Sequence, residues 1–82
     1  MDWNKIFWKK IIHIDIGKEY DDYSRLIFEG KYLNGKRNGK GKEYGKDGKL
    51  LFEGEYLNYL KWNGKGYDDN NKIVYELPNF YY

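Results

Sequence analysis

A repeat with a 24-residue period constrains the fold of this chain more than any other feature. Residues 17–34 align with residues 41–58 without a gap, and 11 of the 18 aligned positions are identical. A third and less regular copy follows, in which Gly64-Lys65-Gly66 matches Gly39-Lys40-Gly41 at an offset of 25 residues. A period of this length predicts stacked supersecondary units, each of which buries its apolar side against its neighbours.

Each repeat has the alternation of a β-hairpin. From Leu26 to Leu33, aromatic residues and glycine alternate with charged and aliphatic ones, which predicts a strand with two different faces. Asn34-Gly35 is a preferred type I′ turn sequence, so we expect the chain to return as a strand over about residues 39–44. Gly30 lies between two aromatic residues on one face. A glycine there leaves room for aromatic rings to pack over the backbone.

The next repeat follows in the same manner. Residues 45–48, which include Lys46-Asp47, predict the next turn, and the second strand pair begins at Leu50. The third copy lacks the glycine after Glu76, and Pro78 then removes a backbone donor. A degenerate last copy is typical of the cap of a repeat array.

The segment from residue 28 to residue 41 resembles the MORN repeat. It reads FEGKYLNGKRNGKG, and FEGEYLN at residues 52–58 matches the first half of it. The resemblance covers residues 17–77 and implies a mostly β fold, an elongated twisted antiparallel sheet of hairpin repeats, without shared chemistry. The second copy departs at Tyr59, where glycine is expected, and has one extra residue before Gly64. We therefore expect an altered turn there, with Trp62 inserted beside it.

The ends of the chain differ from the repeats. Residues 1–16 form a leader that we expect to cap the sheet as a short helix or a strand, and residues 78–82 form a tail. No signal-peptide or membrane-spanning pattern is evident, and the chain has no cysteine, which fits a cytoplasmic protein. The alternative for the leader is contact with an anionic membrane surface through its aromatic and basic residues: Trp3, Phe7, Trp8, Lys5, Lys9 and Lys10.

The sequence offers no catalytic constellation, and we do not expect an enzyme. His13 and Ser24 are the single residues of their types and no third member completes a triad. Asp21-Asp22 and Asp68-Asp69 lack the glycine and final glutamate of a calcium loop. The glycine-rich segment 35–42 fails the phosphate-loop pattern. No metal and no cofactor are therefore predicted.

Binding of a protein partner is the function we expect, by a scaffold or by a small stand-alone inhibitor of the antitoxin-like type that the resemblance includes. Binding would use a sheet edge and the aromatic and basic face, and the partner could be a second copy of the chain that associates through an edge. Residues that depart from the repeat are the candidate anchors, because repeated residues already serve packing. These candidates are Arg37, Tyr59, Trp62, Phe80, Tyr81 and Tyr82.

A basic stretch at residues 31–49 is the second candidate surface, with seven lysines or arginines and two acidic residues. It could solubilise the sheet or bind an acidic protein; anionic lipid and nucleic acid are less favoured alternatives. Its members are Lys31, Lys36, Arg37, Lys40, Lys42, Lys46 and Lys49.

Overall fold

The computed structural model describes residues 13–78, which form one open sheet of six antiparallel strands in chain order. The strands are β1 (Ile14–Tyr20), β2 (Leu26–Leu33), β3 (Lys36–Tyr44), β4 (Leu50–Leu57), β5 (Leu60–Tyr67) and β6 (Ile73–Leu77). The described part contains no helix. The predicted mostly β, antiparallel hairpin fold is therefore confirmed. The sheet is a single layer, 60 × 42 × 14 Å.

The predicted leader and tail lie mainly outside this description. Residues 1–12 and 79–82 are not described, and the expected leader helix and the six leader residues proposed for membrane contact fall among them. Strand β1 begins at Ile14, so the sheet starts three residues before the predicted repeat boundary at residue 17.

The first hairpin has the expected geometry. Strand β2 has the predicted bounds, and the two-residue turn that follows has positive φ at both positions, 50° at Asn34 and 82° at Gly35. Strand β3 starts earlier than predicted, at Lys36. The turn at Asp47-Gly48 is also present, with φ of 82° at Gly48.

The second hairpin corrects the expectation of an altered turn. Asn58 and Tyr59 have φ values of 51° and 79°, nearly those of the first turn, so tyrosine occupies the second left-handed position. The predicted extra residue before Gly64 is also wrong. Gly64 pairs with Gly54 as Gly41 pairs with Gly30, which makes the two structural equivalents 23 residues apart. The longer bulge lies in the first hairpin, where the register with β3 shifts between Gly30 and Tyr32.

Aromatic rings from the even-numbered strands pack over glycines of the odd-numbered strands. Phe28 lies over Gly41, and a Cβ atom at that glycine would come within 2.6 Å of the ring. Ring centroids then follow one another across the sheet at 5.1–6.2 Å, the first three contacts edge-to-face and the last stacked. This aromatic row consists of Tyr32, Phe28, Tyr56, Phe52 and Tyr75.

The aromatic row is the hydrophobic core of the sheet. Phe28, Phe52 and Tyr56 are at most 2% exposed, and Tyr32 and Leu77 pack against them. Neighbouring strands of a sheet are about 4.8 Å apart, so rings on β2 and β4 can meet only by leaning over β3. A glycine in β3 makes that approach sterically allowed.

We expect Gly30→Val to lower the free energy of unfolding by about 1–3 kcal/mol through overpacking. A Cβ at Gly30 would lie 2.6 Å from the Gly41 Cα and 2.6 Å from the Lys40 carbonyl oxygen, both backbone atoms that cannot turn aside. Lys31→Val is the matched control, because residue 31 is exposed on the same strand. Thermal unfolding followed by circular dichroism measures both. Equal melting temperatures would show that the close approach at Gly30 carries no stability.

Candidate functional site

The Arg37 side chain lies over the aromatic row. Its guanidinium lies 4.1 Å from the centroid of the Phe28 ring. It also donates two hydrogen bonds to the Glu19 carboxylate, at 2.7 and 2.9 Å. The Tyr32 hydroxyl donates a third hydrogen bond to Glu19, at 2.6 Å. The Arg37 side chain is only 13% exposed, so most of its surface is committed to the sheet itself.

The same arrangement recurs one repeat later with weaker geometry. Lys61 lies 4.8 Å from the centroid of the Phe52 ring and 3.4 Å from the Glu43 carboxylate. The Tyr56 hydroxyl donates to Glu43 at 3.3 Å. An ammonium group cannot make the two parallel hydrogen bonds of a guanidinium, so the Lys61 cluster is the looser of the two.

These contacts shift the ionisation of their members. The hydrogen bond from Arg37 holds the pKa of the Glu19 carboxyl below its ordinary value of 4.5, although partial burial acts in the opposite direction. Burial, followed by the hydrogen bond to Glu19, raises the pKa of the Tyr32 hydroxyl. Burial likewise raises the pKa of Tyr56. At neutral pH the cluster therefore contains a carboxylate, a cation and neutral phenols.

The opposite face of the sheet carries a shallow groove of about 500 Å³ above the glycine backbone. Residues that flank a glycine point away from the aromatic row because side chains alternate along a strand. They form two walls of mostly charged side chains. One wall contains Lys18, Glu29, Lys42 and Glu53, and the other contains Ile16, Lys40, Glu55 and Asn63.

Tyrosine hydroxyls fix two of the carboxylates of this face. Tyr44 donates to Glu29 at 2.6 Å, and this hydrogen bond raises the pKa of Tyr44 to about 12. Tyr67 donates to Glu53 at 2.8 Å, which raises the pKa of Tyr67 as well. The groove face is therefore an ordered arrangement of charges and not a row of independent side chains.

The structure distributes the basic stretch over several surfaces. Lys42 stands between Glu29 and Glu53 in the register, and Lys40 is opposite Glu55. Arg37 lies on the aromatic face, while Lys36 adjoins the first hairpin turn. Lys46 and Lys49 lie in and beside the turn before β4. Acidic neighbours thus interrupt the positive charge that the sequence concentrates in one segment.

The end of the β4–β5 hairpin exposes a cluster of large apolar side chains. Two of the predicted anchors belong to it, Tyr59 and Trp62, which are 51% and 49% exposed. Leu57 and Leu60 are opposite each other in the register and are 57% and 71% exposed. We call Leu57, Tyr59, Leu60 and Trp62 the hairpin-tip cluster.

The sequence prediction did not include the two leucines, although Leu60 departs from the repeat. Leu60 stands 24 residues after Lys36, where an exact repeat would carry lysine. Of the other predicted anchors, Arg37 is mostly buried and paired with Glu19, and Phe80, Tyr81 and Tyr82 lie outside the described residues.

Within residues 13–78, no group of three or more histidine, aspartate or glutamate side chains is placed to hold a metal ion. The same residues include no helix that is long and apolar enough to cross a membrane. Comparisons of the chain with protein-family models, with curated proteins and with solved structures gave no match.

We expect Glu19→Gln to lower the free energy of unfolding at pH 7 by about 1–2 kcal/mol, because charge-assisted hydrogen bonds to Arg37 become neutral ones. A lowered carboxyl pKa in the folded state stabilises the protein above pH 4.5, and this contribution is lost as the pH falls through the folded-state pKa.

The difference between wild type and Glu19→Gln should therefore disappear in acid, as measured by urea unfolding at a series of pH values. Asp22→Asn, in an exposed turn position, is the control and should leave the pH profile unchanged. A difference that persists at low pH would show that the Glu19 charge is not the stabilising feature.

Proposed function

We propose that this chain is a non-enzymatic, MORN-type hairpin-repeat module of the cytoplasm that binds a partner protein, as a scaffold or as a small inhibitor. The observation that carries the proposal is the hairpin-tip cluster, which exposes four large apolar side chains, two of them aromatic, at the end of one hairpin. Contiguous exposed apolar surface on a soluble domain commonly marks an interaction site.

The backbone at Tyr59 supports this assignment. Tyr59 has a φ of 79° at a turn position where the first repeat has glycine with a φ of 82°. The left-handed conformation costs a residue with a Cβ about 1–2 kcal/mol. Strain of this kind is concentrated at functional positions. The Tyr59 ring lies 5.1 Å from the Arg37 guanidinium and is half exposed, so the exposed part of the ring is accessible to a partner.

The composition of the cluster also fits an interface. Tryptophan and tyrosine are enriched among the residues that contribute most to binding energy, and neighbouring aliphatic residues exclude water from them. A matching partner would offer an apolar cleft large enough for an aromatic ring, bordered by polar residues.

We expect Trp62→Ala to weaken partner binding by at least about tenfold, the range of an interface anchor, with little change in melting temperature. Proteins captured on the immobilised chain identify the partner, and calorimetry with that purified partner gives the Kd. Val74→Ala removes an exposed apolar side chain on β6 and is the control that should bind normally. Full-strength binding by Trp62→Ala, or its unfolding, would contradict the assignment.

Tyr59→Gly should separate stability from binding. Glycine relieves the strain of the left-handed turn, about 1–2 kcal/mol, and gives up a cation–π contact of about 0.5–1 kcal/mol. We therefore expect a slightly higher melting temperature together with weaker partner binding. A variant that is less stable and binds normally would mean that Tyr59 serves the fold and not the interface.

A further inference from the structure

The edge strand β1 repeats the sequence of an interior strand. Residues 17–20 of β1 and residues 41–44 of β3 both read Gly-Lys-Glu-Tyr. Each segment pairs on one side with an even-numbered strand that places glycine opposite its glycine. On the other side β3 pairs with β2, whereas β1 has no neighbouring strand there within residues 13–78. We call this side of β1 the open edge.

The interior pairings show which sequence fits beside such a segment. Residues 28–30 of β2 lie opposite residues 43, 42 and 41 of β3, and they read Phe-Glu-Gly. Residues 52–54 of β4 pair with β5 in the same way and read Phe-Glu-Gly as well. The strand that occupies this side therefore has an aromatic residue, a glutamate and a glycine in succession.

Glycine in that strand is a steric requirement of the pairing. A Cβ atom at Gly30 would lie 2.6 Å from the Gly41 Cα, and one at Gly54 would lie 2.5 Å from the Gly64 Cα. Strand β6 has Leu77 in place of this glycine, and β2 and β4 are already paired on both sides. Within the described residues, a second folded copy of the chain thus offers no strand that fits the open edge.

The open edge lacks the aromatic ring that covers the corresponding glycine in the interior. A Cβ at Gly41 would meet rings from both sides, Phe28 of β2 at 2.6 Å and Tyr56 of β4 at 3.2 Å. The atoms nearest to a Cβ at Gly17 all belong to Tyr32 of β2. Gly41 is buried, whereas Gly17 is only partly buried. An aromatic side chain from an added strand fits over the uncovered side of Gly17.

The open edge also carries a lysine and a tyrosine whose interior counterparts share a glutamate. Glu29 of β2 lies opposite Lys42 and accepts a hydrogen bond from the Tyr44 hydroxyl at 2.6 Å. Lys18 and Tyr20 hold the same positions on β1, and Tyr20 is 55% exposed. No strand within residues 13–78 supplies a glutamate to them from the open side. A glutamate on an added strand completes both contacts.

We propose that the open edge binds an extended segment of a partner protein that contains an aromatic residue, a glutamate and a glycine in succession. The segment runs antiparallel to β1, with the aromatic residue opposite Glu19, the glutamate opposite Lys18 and the glycine opposite Gly17. In strand addition of this kind, main-chain hydrogen bonds give the affinity and side-chain positions give the specificity. Strands β2 and β3 separate this edge from the hairpin-tip cluster on β4 and β5, so the site is a second binding surface with its own class of ligand.

A peptide with the sequence of residues 26–33, Leu-Ile-Phe-Glu-Gly-Lys-Tyr-Leu, is the probe. The labelled peptide is titrated with the full chain by fluorescence anisotropy up to about 1 mM, where weak complexes become populated. Wild-type peptide should bind saturably. The peptide with Gly30→Ala should bind at least about tenfold more weakly, because the added methyl group overpacks against backbone. The peptide with Lys31→Ala is the matched control and should bind normally.

A charge exchange tests the register. The chain variant Lys18→Glu places like charges opposite each other and should bind the wild-type peptide about fivefold more weakly or worse. The peptide with Glu29→Lys restores opposite charges and should recover binding to that variant. Lys46→Glu makes the same change of charge at an exposed turn position and should bind like wild type. Circular dichroism establishes that all chain variants are folded.

Two further measurements locate the peptide. Amide hydrogen exchange should slow in residues 14–20 and not in residues 73–77, and Trp62→Ala should bind the peptide normally, since the hairpin-tip cluster takes no part. The proposal is overturned if the wild-type peptide does not bind, if the Gly30→Ala peptide binds equally well, or if the Glu29→Lys peptide fails to recover binding. It is also overturned if Lys46→Glu or Trp62→Ala loses peptide binding, or if protection appears in residues 73–77 instead.

Discussion

The contact of an aromatic ring with a glycine on the next strand is the interaction on which the rest of this sheet depends. A single layer has no second layer to bury its apolar side chains. Phe28 and Phe52 are nevertheless fully buried, because each leans over glycine backbone toward the ring of Tyr56. The period of the sequence is the period of this contact, since each repeat supplies rings on one strand and glycine on the next.

Charged residues complete this thin core. Arg37 and Lys61 lie over the Phe28 and Phe52 rings, and carboxylates of earlier strands hold both long side chains in place. A guanidinium stacks on an aromatic ring with little loss of hydration. The arginine cluster is therefore a structural element, and Arg37, although it contacts the Tyr59 ring, is too buried to be an exposed candidate for binding.

The sequence predicted those features that local chemistry determines. The bounds of β2 and the turn at Asn34-Gly35 follow from alternation and from turn propensity. The turn at Asn58-Tyr59 could not be predicted in this way, because tyrosine disfavours positive φ. Pairing of Leu57 with Leu60 and a hydrogen bond from the Tyr59 N–H to the Arg37 carbonyl oxygen hold it in place. The Glu19 and Glu43 clusters each join residues that are 18 positions apart in the sequence. Which residues meet at that separation depends on the strand register, which local sequence patterns do not determine.

The two faces explain where interaction surfaces can arise on such a sheet. The aromatic face is covered by Arg37 and Lys61, and one row of the groove face alternates lysine with glutamate from strand to strand. The repeat scheme is interrupted elsewhere. That happens at the tip of the second hairpin, where Tyr59 and Leu60 replace Gly35 and Lys36, and at β1 and β6, where strand pairing stops within the described residues. The binding surface that we propose therefore coincides with an irregular position of the repeat.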